Sequence, residues 1–110
     1  MSLSEAQFHA LVDNVQTTIE DTFDDSGIDV DLINSGGILT VVFANNSQLI
    51  ISRQEPLKQI WVAARSGGFH FDYNLQEQQW FCSNANADLA SFLSKATQEQ
   101  ASETILFYDL

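Results

Sequence analysis

The chain has 110 residues, 45% of them hydrophobic, and a formal net charge of −11. Its length suits one domain, residues 1–110, able to bury about 65% of its unfolded surface, and eight Phe, two Trp and two Tyr exclude a disordered acidic chain. The lone cysteine, Cys82, excludes an internal disulfide and cannot alone supply a structural zinc site or an iron–sulfur cluster.

The spacing predicts an amphipathic helix from Leu3 to about Asp25. Phe8, Leu11, Val12, Val15, Ile19 and Phe23 recur at steps of three and four, and Ser4 suits the N-cap. At about 100° per residue, Asp13, Glu20 and Asp24 share a flank away from that stripe, His9 lies at its edge, and Asp21 and Asp25 lie further round. Gly27 breaks the pattern. Ile28 to Leu32 then alternates as a half-buried strand that turns Asp29 and Asp31 outward together.

Turn signals at Asn34–Gly37 and Asn45-Asn46, the Pro56 break and the Gly67-Gly68 pair separate further strands. These are Ile38 to Phe43, Gln48 to Arg53, Gln59 to Ala64, Phe69 to Tyr73 and Gln79 to Cys82. Asn86 or Asp88 can start a last helix carrying Leu89, Phe92, Leu93 and Ala96, and Thr104 to Phe107 can pack back on it. The expected fold is therefore α+β: a two-layer sandwich with N- and C-terminal helices on one face of an antiparallel sheet of about six strands.

Charge is concentrated at the start. Eight carboxylates precede residue 32, and the first basic side chain is Arg53. Such a patch attracts cations or basic proteins and repels nucleic acid and anionic lipid. No basic region followed by an apolar run opens the chain, and no stretch nears ~18 consecutive apolar residues. The expectation is a cytoplasmic protein with no membrane and no nucleic-acid partner.

An oxygen-rich, thiol-free cluster suits hard cations such as iron or calcium. The candidate ligands are Glu20, Asp21, Asp24, Asp25, Asp29 and Asp31, with Glu5 and His9 one or more turns away. The plain alternative is a solvated helix face that keeps the protein soluble. Two local penalties weigh against it: the pairs 20/24 and 21/25 repel across one turn, and all four face the negative end of the helix dipole. An EF-hand loop with Gly27 at its sixth position puts Thr22 first and Ile33 twelfth, where carboxylates are required. A di-iron oxidase needs inward Glu residues and a Glu-x-x-His spacing that this chain lacks. What remains is an open site that binds several cations weakly, other divalent ions included.

Strand alternation places Gln59, Trp61, Ala63 and Arg65 on the open sheet face, together with His70 and Asp72. Trp61 near Arg53, Lys58 and Arg65 has the composition of a binding hot spot; a tryptophan half covered by its strand neighbours is the alternative. Cys82 reads as a small buried hydrophobe, His70 and Asp72 lack a nucleophile to complete a triad, and the Gly pairs are turns. No catalytic residue emerges.

Arg53 to Ala63 (RQEPLKQIWVA), Gly67 to Asp72 (GGFHFD) and Trp80-Phe81-Cys82, with Ile19-Glu20-Asp21, Asp24-Asp25, Ile28-Asp29 and Gly36-Gly37, resemble the frataxin family in its bacterial CyaY branch, over almost the whole chain. The resemblance implies a non-enzymatic iron-binding protein of iron–sulfur cluster assembly that modulates the cysteine desulfurase and its scaffold protein. It implies ferrous and ferric iron held weakly, and a monomer that can oligomerise with iron. It also implies metal binding along the ridge and partner binding through Glu20, Asp24, Asp25, Trp61, Arg53 and Arg65. Two other readings stay open: an acidic interaction module without functional iron binding, and a weak ferroxidase or iron store.

Overall fold

The computed structural model describes residues 3–108 and 110. Helix α1 spans Glu5–Ser26. The Ser4 hydroxyl accepts from the Gln7 N–H at 3.1 Å while the Gln7 side chain accepts from the Ser4 N–H at 2.9 Å, a reciprocal capping box. The helix stops at Gly27, whose φ of 77° is a left-handed cap that glycine takes without a Cβ clash. Phe8, Val12, Val15, Ile19 and Phe23 are buried, as their spacing requires.

Among the described residues seven strands follow in consecutive order: β1 Val30–Ser35, β2 Ile38–Phe43, β3 Gln48–Gln54, β4 Gln59–Ala64, β5 Gly67–Asn74, β6 Gln79–Cys82 and β7 Ala87–Asp88. Each pairs antiparallel with the next. Helix α2, Leu89–Ala101, closes the helical layer. The expected two-layer α+β sandwich is present, with β7 added to the six anticipated strands. That strand has no alternating apolar signal and exists because the turn after β6 brings Ala87 opposite Cys82.

Boundaries shift at β1, β3 and β5: β1 runs on through Asn34 and Ser35 of the expected turn, and β3 and β5 each extend one residue further, to Gln54 and Asn74. β1 begins at Val30 because its partner ends there: Val30 pairs with Phe43, after which the Phe43 carbonyl accepts from Asn46 N–H in a turn. Gly67 and Gly68 belong to β5, and the turn is Arg65-Ser66, with Ala64 opposite Gly67. Gly36 and Gly37 do form a turn, with φ of 61° and 80°, the two positive values of a tight hairpin whose twist matches its strands.

Alternation divides the sheet cleanly. Leu39, Val41, Leu49, Ile51, Ile60, Val62, Phe71 and Trp80 are buried beneath the helices. The core continues into the tail, where Ile105 and Phe107 are buried and the Phe107 ring meets Phe23 edge-on at 5.6 Å. The opposite sheet face has no layer over it among the described residues.

Phe107→Ala is expected to cost about 3 kcal/mol, whereas Leu106→Ala, at a side chain 62% exposed, should stay within about 0.5 kcal/mol; urea unfolding measures both. Asp88 caps α2, accepting from the Ser91 N–H at 3.2 Å and the Ser91 hydroxyl at 2.7 Å. Burial pushes its carboxyl up, but these bonds and further backbone N–H groups outweigh burial and hold it below the ordinary 3.8. The unfolded chain therefore takes up this proton first as pH falls. The cap's contribution is full above 3.8 and fades as pH drops through the lower folded value. Asp88→Ala should cost about 1 kcal/mol at neutral pH and progressively less under acid, read from urea midpoints across pH.

Candidate functional site

The last two turns of α1 and the start of β1 form one acidic ridge. Asp21, Asp24, Asp25, Asp29 and Asp31 are exposed, and Glu20 is half-buried, its Oε1 accepting from Asn34 Nδ2 at 2.9 Å. That bond ties α1 to β1. No basic residue occupies the last turn of α1, so nothing there offsets the repulsion or the helix dipole. Among the described residues no three His, Cys, Asp or Glu side chains gather where they could hold a metal ion. The donors are all hard oxygens spread along a surface, which suits loose attraction of hard cations rather than a closed coordination shell.

Glu5 and His9 stand apart from the ridge. At 1.5 Å per residue they lie roughly 22 Å and 16 Å along the axis from Glu20. His9 is engaged elsewhere: Arg53 Nη1 lies 3.1 Å from its Nδ1, and because a guanidinium only donates, Nδ1 accepts and Nε2 carries the proton toward Glu55, 3.6 Å away. Arg53 also donates to Asp13 Oδ1 at 2.7 Å and to Gln16 Oε1 at 3.0 Å. Gln16 in turn donates to the carbonyls of Gly37 and Ile51, at 2.9 and 3.1 Å. The group clamps α1 onto β3 and the turn between β1 and β2, with Arg53 Nε buried against Gly37.

This placement refines one expectation and corrects another. Arg53 pairs with inward-facing Ile60, so alternation turns its side chain to the helices; it is only 15% exposed, and it lines the same cleft as Trp61 without standing on the open face. Arg65 lies in the turn after β4, where alternation no longer governs. Its N–H donates to Gln100 Oε1 at 3.0 Å and its Nη2 to the Glu99 carbonyl at 3.0 Å, so the cation sits at the negative end of α2 rather than on the open face.

Trp61 does lie on the open sheet, in a cross-strand row with Ser35, Ile38, Ser52 and His70. It is half-buried, stacked on His70 with centroids 4.2 Å apart and planes 11° from parallel. Its Nε1 donates to Gln59 Oε1 at 2.9 Å, and Gln59 Nε2 donates to Asp72 at 3.1 Å. Of the two readings, the half-covered tryptophan describes its surroundings. Beside it, a cleft of about 450 Å³ is lined by Gly36, Ile38, Ser52, Pro56 and Trp61 among others, and Ile33 and Ile38 are 53% and 44% exposed.

Sequence reasoning missed Gln16 and Asn34. Gln16 carried a signal, as a polar residue inserted beside an apolar stripe. Asn34 carried none, because its role depends on where α1 crosses β1.

A frataxin-like domain model matches residues 1–103. The chain belongs to the frataxin-like family. It is 59% identical to the iron-sulfur cluster assembly protein CyaY of Stutzerimonas stutzeri and 54% identical to that of Azotobacter vinelandii, covering the full length of each chain in both cases. Frataxin from Psychromonas ingrahamii superposes with a TM-score of 0.88 at 36% identity, over 97% of this chain and all of that one. Trimeric yeast frataxin, in a crystal complexed with ferrous, shares the fold at a TM-score of 0.66 and 23% identity, over 94% of this chain and 90% of its own.

Gln16→Ala leaves the Gly37 and Ile51 carbonyls without this donor and is expected to cost about 2 kcal/mol. Asp13→Asn weakens an ion pair whose carboxylate is 69% exposed and should cost under about 1 kcal/mol, by the same urea measurement.

Proposed function

We propose that this chain binds ferrous and ferric iron loosely along the ridge and modulates the cysteine desulfurase and its scaffold protein during iron–sulfur cluster assembly in the cytoplasm. It carries out no reaction alone. The observation that carries this reading is the run of exposed carboxylates on Asp21, Asp24, Asp25, Asp29 and Asp31, held in one patch by the turn from α1 into β1 and unneutralised by any cation in the last helical turn. Full-length relatives named for iron–sulfur cluster assembly support it.

The physical logic is electrostatic. Exposed charges attract a basic protein surface from a distance, and the attraction is screened over about 8 Å at physiological ionic strength. A cation resting on the same carboxylates lowers that attraction. Iron and partner thus compete for, or jointly occupy, one surface, and iron level is converted into a change of association. The open sheet around Trp61 is assigned to the scaffold side of the assembly.

The dispersed ligands equally support a second reading, in which the ridge is a docking module and its metal affinity a by-product of charge density. Glu20→Gln with Asp24→Asn separates the two. The double variant is expected to weaken desulfurase association at least tenfold and to abolish the effect of ferrous iron on desulfurase activity. Equal weakening with and without iron, and no iron effect in the unmodified chain, would favour the docking module.

A further inference from the structure

The edge of the sheet beside the ridge is open. β1 is the outermost strand, and no described strand pairs with its far side. Which groups face that side follows from the hairpin. The Gly36-Gly37 turn closes on Ser35 and Ile38, a hydrogen-bonded pair in a tight turn of this kind, and the register runs without a bulge to Val30 opposite Phe43. Hydrogen-bonded and non-bonded pairs alternate along an antiparallel ladder. Ser35, Ile33 and Asp31 therefore spend their N–H and C=O groups on β2, while Val30, Leu32 and Asn34 turn theirs outward.

Both flanks of this edge are acidic. On the helix side, Glu20 reaches Asn34, and the cleft of about 350 Å³ between α1 and the first hairpin is lined by Thr17, Asn34 and the ion pair of Asp13 with Arg53, so the unpaired charge of this flank is that of Glu20 and its neighbours toward the helix end. Residues 13, 17, 20 and 24 share one stripe of α1, so Asp24 continues that flank. On the open side stand Asp31 and the exposed Ile33.

We propose that β1 accepts an extended basic segment of a partner protein as an additional strand. Main-chain bonds to Val30, Leu32 and Asn34 hold it about 4.8 Å from β1, and alternate Lys or Arg side chains meet Glu20 and Asp24 while the intervening apolar residues cover Ile33. A second copy of this chain is the wrong occupant. Pairing two β1 edges brings the ridges of two chains of net charge −11 together. The proposal rests on the ridge being a partner surface, and not on iron.

The test titrates the chain with a blocked alternating octapeptide (Lys-Val)4, with (Glu-Val)4, and with two (Lys-Val)4 peptides N-methylated at all valines or at all lysines. N-methylation blocks one strand edge at a time and keeps the charge. Amide shifts and hydrogen exchange are the readouts. (Lys-Val)4 is expected to bind, to slow exchange at Val30, Leu32 and Asn34 at least tenfold, and to lose at least tenfold in affinity in one of the N-methylated forms. Unchanged affinity in both N-methylated forms, or no slowing at those three amides, would overturn strand addition. If both N-methylated peptides bind fully and (Glu-Val)4 does not, the ridge survives as a charge-docking surface and strand addition falls. If no basic peptide binds, both readings fall.

Discussion

Burial of Phe8, Val12, Val15, Ile19 and Phe23 beneath α1 fixes the rotation of that helix, and the exposed chemistry of the molecule follows from the rotation. A helix held by one stripe must present the opposite flank to solvent, and in this chain that flank carries carboxylates. Arg53 and Gln16 lock the setting. They hold α1 to β3 and to the turn between β1 and β2 through charge-assisted and backbone hydrogen bonds near its middle, while Glu20 and Asn34 repeat the tie toward its end. The ridge is thus the outer surface of a well-anchored element, and its like charges are borne by the packing underneath.

That arrangement separates stability from recognition. The apolar stripe and the Arg53 clamp hold the fold; the last turns of α1, with repulsion across one turn of about 0.2–0.5 kcal/mol per pair and an unfavourable dipole, add little to it. The open sheet is also divided in purpose. Trp61 is braced by His70 and Gln59, which presents an aromatic surface of fixed orientation with little side-chain entropy left to lose on binding. Ridge and open face meet at β1, whose alternation sends Asp31 and Ile33 to the open side.

Much of this was legible in the sequence because periodicity reports faces directly. The stripe of α1, the Ser4 cap, the limits of β2, β4 and β6, the inward Phe71 and the outward His70 all follow from local spacing. The outward carboxylates from residue 20 to 31 follow as well. Where spacing stopped being informative, the reading failed. Arg65 sits in a turn, and only the position of α2 decides where its guanidinium goes. Arg53 obeys alternation, and its counterpart Ile60 marks it as inward. β7 is too short for any periodic signal and depends on tertiary closure.

The most direct test of a ridge shared by iron and partner is a proton–nitrogen NMR titration at physiological salt under anaerobic conditions. Ferrous iron is added first, with magnesium as a charge control, and the desulfurase follows. Residues 20–31 are expected to respond to ferrous iron and to the desulfurase, and far less to magnesium. A response to the desulfurase alone, or equal responses to iron and magnesium, would contradict a shared iron and partner site.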